Sequence, residues 1–136
     1  MLRVWSDSFW TVSVDYLQKL VIVERSTTPF ADADAIESSH VRLGREIASY
    51  ALRCRALLLD SRPAPTIAPA LESAFIASAA RIHRLFHTCA VIVRPSGVAH
   101  GKQVRSRLLS NCLVTSSLTE AGAHIGVPEI VKLLGR

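Results

Sequence analysis

Five histidines and three cysteines are the residues of this 136-residue chain with the widest chemical range. His83 and His87 stand four apart, a spacing that turns two imidazoles to one face of a helix and supplies half a metal site. Cys89, Cys112, His100 or His124 are the residues that would complete it. The intervening text, His-Arg-Leu-Phe-His, lacks the glutamate that serves as general base in His-Glu-x-x-His, so metalloprotease chemistry is excluded. There is no second tight pair, and Arg81 and Arg84 flank the histidines. The competing reading is a solvated, anion-contacting face, and no metal is expected. The six glycines (44, 97, 101, 122, 126 and 135) do not assemble a phosphate loop. Neither Ser39-His40 nor Ser96-Gly97 makes a nucleophile elbow. Carboxylates are depleted where the histidines cluster, so the acid that would orient a base is missing. The expectation is a protein without enzymatic activity and without a cofactor.

Charge is the strongest pattern. Residues 1–72 carry eight basic and nine acidic side chains; residues 73–136 carry eight basic and two acidic ones. No acid occurs between Glu72 and Glu120, whereas Arg81, Arg84, Arg94, Lys102, Arg105 and Arg107 all fall there. A region of one sign concentrates anionic partners around itself. These six side chains are the expected contact site for nucleic acid or another polyanion. Between Arg81 and Arg107, Phe86 is the only aromatic, so phosphate neutralisation rather than base readout or stacking would supply the binding. Thirteen arginines against three lysines could reflect a GC-rich coding sequence, but that bias does not explain the asymmetry between the halves.

These residues need elements to hold them. Residues 9–23 alternate through Trp10, Val12, Val14 and Tyr16 as a half-buried strand does, although Trp10, Val14, Leu17 and Val21 also fit a helix face. Arg25 to Asp34 reads as a loop. From Asp34 to Leu59 the positions Ile36, His40, Leu43, Ile47, Tyr50, Cys54 and Leu58 recur at spacings of four and three, the stripe of an amphipathic helix. Asp32, Asp34 and Glu37 suit its amino end, Arg53 and Arg55 its carboxyl end. Gly44 weakens it. The prolines at 63 and 65 stop it. A second helix is expected over 69–93, with Leu71, Phe75, Ala79, Ile82 and Cys89 on its apolar face. The expected fold class is therefore mostly α: a long helical hairpin (34–93) with shorter flanking helices, and residues 9–23 possible as β. Residues 94–101 read as a loop, 102–118 as a helix, and 128–134 as a short helix begun by Pro128. One small domain accounts for all 136 residues: an amino-terminal segment (1–33), the hairpin, and a basic carboxyl-terminal part (94–136).

Two local resemblances accompany that reading. His40-Val-Arg-Leu-Gly44 resembles the histidine phosphotransfer helix, in which a basic residue and a glycine follow the phosphorylated histidine. That resemblance implies a helical signalling domain with His40 as the phosphoryl carrier. The order of the basic and apolar residues is swapped here, and His40 falls on the apolar stripe, where a part-buried histidine is the competing reading. Residues 119–134 resemble a helix-turn-helix with Ile125-Gly126-Val127 as its turn. The second helix would be only two turns long with one lysine and one arginine, whereas a recognition helix presents several side chains to base edges.

Composition bounds the remainder. A hydrophobic fraction of 49%, a charged fraction of 20% and a mean hydropathy of +0.28 exclude a charged, apolar-poor disordered chain. For this mass about two-thirds of the unfolded surface can be buried, leaving roughly 7,000 Å² accessible. The apolar excess suggests a second copy or a protein partner, and a protein-interaction module without a nucleic-acid role is the alternative function. No apolar run reaches the roughly 20 residues of a spanning helix, and no signal-peptide pattern is expected at the start. Free thiols and an intracellular, cytoplasmic setting follow as expectations.

Overall fold

The computed structural model describes residues 1–105 and 111–134. Strands β1 (Leu2–Ser6), β2 (Trp10–Asp15) and β3 (Leu20–Arg25) open the chain as an antiparallel meander. The Asp7 carboxylate accepts from the Phe9 and Trp10 backbone N–H groups at 2.8 and 2.9 Å to make the first turn. Asp15 accepts from Gln18 N–H at the second, where Lys19 takes φ 54°. The alternation in residues 9–23 is thus two paired strands. Helix α1 (Ala33–Ala51) follows; the Asp32 side chain accepts from Ala35 N–H and caps it. Ile36, His40, Leu43 and Ile47 are buried, the first four positions of the expected stripe.

The mostly-α expectation then fails. The chain leaves α1 at Leu52 and enters strand β4 (Ala56–Asp60); α2 (Glu72–His83) is followed by strand β5 (Thr88–Ile92). After β5 come a 3-10 turn at Pro95–Gly97, α3 (Val98–Arg105), strand β6 (Cys112–Thr115), α4 (Leu118–Ile125) and α5 (Ile130–Leu134). The six strands lie in the order β1-β2-β3-β4-β5-β6, with β3 to β6 mutually parallel. The protein is α/β, and the expected hairpin of 34–93 is a β4-bearing crossover in which α1 and α2 pack side by side. Helices expected over 54–59 and 84–93 are replaced because strands buried on both faces are continuously apolar and lose the alternation that marks a strand. The helix expected over 102–118 likewise gives way to the end of α3 and to β6.

Successive parallel strands move in one direction across the sheet, so right-handed crossovers put α1, α2 and α3 on one face. The residues alternate accordingly. Val21, Val23, Leu57, Leu59, Cys89, Val91 and Val114 join the core with Ile36, Leu43, Ile47 and Ile82. Leu20, Ile22, Ala56, Leu58, Ala90 and Ile92 face Ala121, Ile125 and Ile130 of α4 and α5. The accessible surface of 7181 Å² is close to that expected for a single compact chain of this mass. The segment resembling a helix-turn-helix does contain two helices around Gly126, which takes φ 75°. Its second helix turns Ile130 and Leu134 into the core.

Candidate binding cleft and a buried cysteine–histidine cluster

Parallel strands all end at one edge, and side chains leaving those ends converge there. Arg25 closes β3, Leu59 and Ser61 lie at the end of β4, and Val93 and Arg94 follow β5. Together with α2 and the first half of α3 they bound a cleft of 270 Å³. Its walls are mainly apolar: Trp10, Leu59, Ile67, Phe75, Ile82, Val93 and Val104. Gly101 lets α3 approach, since a Cβ there would stand 3.0 Å from Val114 Cγ1.

The polar lining is mostly cationic or imidazole. Arg25 is 5% exposed. Its Nη2 donates to Thr28 O at 2.8 Å, and its guanidinium stands 4.4 Å from the Phe30 ring centroid. Burial lowers its pKa, partly offset by the Asp7 charge. Arg94 stands exposed at the rim, with Nη2 donating to Ala64 O at 3.0 Å. His100 Nε2 lies 3.8 Å from Glu72 Oε2, the one carboxylate in the lining. His40 contacts Trp10, Phe30 and Phe75, with its Nδ1 2.7 Å from Ile36 O. Trp10 is 2% exposed, yet its indole N–H meets no acceptor among the described residues. An unsatisfied buried donor costs about 1–3 kcal/mol, so it needs an explanation.

His83 also lines the cleft. Its Nδ1 lies 2.8 Å from Cys89 Sγ, and Cys112 Sγ lies 3.8 Å from the same sulfur. Cys89 and Cys112 are partners in the β5–β6 register, which sets the two sulfurs side by side on the α2 face. His87, spaced four residues from His83, does not join it. Helix α2 ends at His83, and residues 84–87 turn into β5 with His87 exposed. Sequence spacing paired His83 with His87, whereas the structure brings His83 together with Cys89 and Cys112, two of the four residues named to complete the set. His124 is also apart, with Nε2 3.0 Å from Asn111 O.

Of the six basic side chains singled out by charge, the four that are described lie in two groups. Arg81 and Arg84 are exposed near the carboxyl end of α2, beside the start of β5. Arg94 and exposed Lys102 lie beyond its other end. Five strand residues at about 3.3 Å each hold the two groups on the order of 15 Å apart. Among the described residues, no carboxylate lies within ion-pair distance of Arg81, Arg84, Arg94 or Lys102. Arg105 ends α3, and its side chain, like Arg107, lies outside the described residues.

Compared with known protein families and with curated proteins, the chain matches none.

Proposed function

We propose that this α/β domain is a non-enzymatic binding domain whose cleft takes a small, largely apolar molecule carrying an anionic group. The observation behind this reading is a cleft with mainly apolar walls and the exposed Arg94 guanidinium at its rim. An apolar body would fill the space between Phe75, Leu59 and Val104. Arg94 uses one of its five N–H donors on Ala64 O and keeps others for an anion at the rim. The separation of Arg81 and Arg84 from Arg94 favours a compact anion over a long polyanion.

Trp10 reports on the cleft directly. In a Trp5→Phe variant, titration with decanoate should change Trp10 emission saturably, and decanol should bind about tenfold more weakly, a difference of about 1.4 kcal/mol. Arg94→Gln should abolish that preference for the carboxylate. No saturable change with either probe would sink the cleft reading. So would a thymidine oligonucleotide whose retention needs Arg81 and Arg84 but leaves Trp10 emission unmoved, an outcome that supports nucleic-acid contact instead.

A second reading, self-association, draws on Leu17 and Leu52, which are 88% and 90% exposed, with Tyr16 also exposed. Both leucines sit where β2 turns into β3 and where α1 gives way to β4. Sedimentation equilibrium on Leu17→Ser and Leu52→Ser tests it: a dimer lost in both supports the second copy, and a wild-type monomer at all concentrations excludes it.

A further inference from the structure

We propose that His83, Cys89 and Cys112 form a soft metal site that takes one Zn²⁺ per chain through two thiolates and one imidazole. Their three donor atoms lie within 4.8 Å of one another. Zinc–sulfur bonds of about 2.3 Å at the tetrahedral angle put two sulfurs about 3.8 Å apart. The Cys89–Cys112 sulfur separation is 3.8 Å. The same geometry sets nitrogen and sulfur about 3.5 Å apart, so the His83 ring would retreat by roughly 0.7 Å from its present 2.8 Å contact.

The elements that hold the donors are rigid. Two come from in-register positions of adjacent parallel strands, and the third from the last residue of α2, packed across them. Cys89 and His83 are 0% and 1% exposed, and Cys112 is half-buried, which leaves one side of the cluster open to an entering ion. Charge also fits. Two buried thiolates alone would be costly, whereas Zn²⁺ with two thiolates and a neutral imidazole carries no net charge. Binding therefore releases the two thiol protons to solvent, while His83 coordinates through the Nδ1 lone pair that faces Cys89. Three protein ligands leave the fourth tetrahedral position to water or another exogenous donor, the arrangement of an open rather than a closed site.

The competing fate of the two sulfurs is a disulfide, which would need an oxidant and a further approach of almost 2 Å. A disulfide has no use for a third donor at 2.8 Å from one sulfur, and the imidazole is what favours a metal. Cys54, elsewhere in the core, is the internal control.

The test uses the full chain, reduced and handled without oxygen. Co²⁺ should bind one per chain with thiolate charge-transfer absorption and the intense visible bands of a tetrahedral centre. Zn²⁺ added to the metal-free protein should release about two protons per ion at neutral pH, and it should displace bound Co²⁺ with no further proton release. Cys112→Ser and His83→Gln should each weaken Co²⁺ binding by more than about 100-fold, beyond the cost of losing an outer-shell partner. Cys54→Ala should not. If either ligand variant fails to fold, wild-type alkylation answers the same question: Zn²⁺ should protect Cys89 and Cys112 and leave the Cys54 rate unchanged. Absence of tetrahedral bands in reduced wild-type protein, or protection that extends equally to Cys54, overturns the proposal.

Discussion

The Arg25 guanidinium lies 4.4 Å from the centroid of the Phe30 ring and 5.3 Å from that of Trp10. A cation buried against two aromatic faces ties the end of β3 to the loop that leads into α1. It does so with hydrogen bonds as well, from Nη2 to Thr28 O and, at longer range, from Nη1 to Ser26 O and Phe9 O. A lysine has neither the planar fork nor the stacking surface for these contacts. Arg25→Lys should therefore cost about 2 kcal/mol, while Arg25→Ala should cost more and loosen the Trp10 side of the cleft. Urea denaturation with Trp emission as readout measures both. An Arg25→Lys protein as stable as the wild type would show that charge alone suffices.

Two helical glycines should respond to alanine with opposite signs. A Cβ at Gly44 would stand 3.5 Å from Ile82 Cδ1, an ordinary contact, so Gly44→Ala should stabilise α1 by up to about 1 kcal/mol. At Gly122 the Cβ would fall 2.9 Å from Val127 O and 3.2 Å from Pro128 Cα, backbone atoms that cannot rotate away. Overpacking there should exceed the gain in helix propensity, for a net loss of about 1–2 kcal/mol. Thermal melts should move in opposite directions for the two variants. Equal shifts of the same sign would refute the packing argument at the α4–α5 turn.

What the sequence hides follows from the same sheet. The stripe from Ile36 to Ile47 was legible because α1 buries one face only, and the alternation of Trp10, Val12 and Val14 was legible because β2 has a more exposed neighbour in β1. β4 has all five residues buried, and Leu57, Leu58 and Leu59 carry no period. Leu58 happens to continue the spacing of Tyr50 and Cys54, and α1 ends at Leu52 in right-handed helical geometry, with neither glycine nor proline to mark the stop. The members of the His83 cluster were legible as candidates, but which of them meet was not. Cys89 meets Cys112 only through the β5–β6 register, a pairing across 23 residues that spacing along a helix cannot represent. The cleft is of the same kind, because Trp10, Arg25, Phe75 and Arg94 come together only once the parallel strand order is known.

Cys54 gives a pH dependence of definite sign. It is 2% exposed at the turn between α1 and β4, and burial, reinforced by the Asp15 charge, raises its thiol pKa above the ordinary 9.0 despite Arg53. The folded chain thus holds this proton more tightly than the unfolded chain. That contribution to stability is complete below about pH 9 and is lost as the pH rises from the unfolded thiol value through the folded one. Between pH 8 and pH 10, wild-type protein should lose more stability than Cys54→Ala does over the same interval. Identical losses would mean that Cys54 titrates alike in both states.

His40 separates a core role from phosphoryl transfer. Its ring packs edge-on against Trp10 at 5.2 Å and Phe75 at 5.8 Å, and Nδ1 is 2.7 Å from Ile36 O. At 4% exposed it offers a phosphoryl donor little access, and a phosphoryl group on either nitrogen would displace an aromatic neighbour or the helix carbonyl. Incubation with acetyl phosphate should leave His40 unlabelled. His40→Ala should destabilise the protein by about 2–4 kcal/mol through the cavity it opens among three rings. His40→Gln should recover little of that loss, because an amide can reach the Ile36 carbonyl but not fill the ring's place. Acid-labile labelling lost in His40→Gln, with wild-type stability retained, would reverse the assignment and return His40 to signalling chemistry.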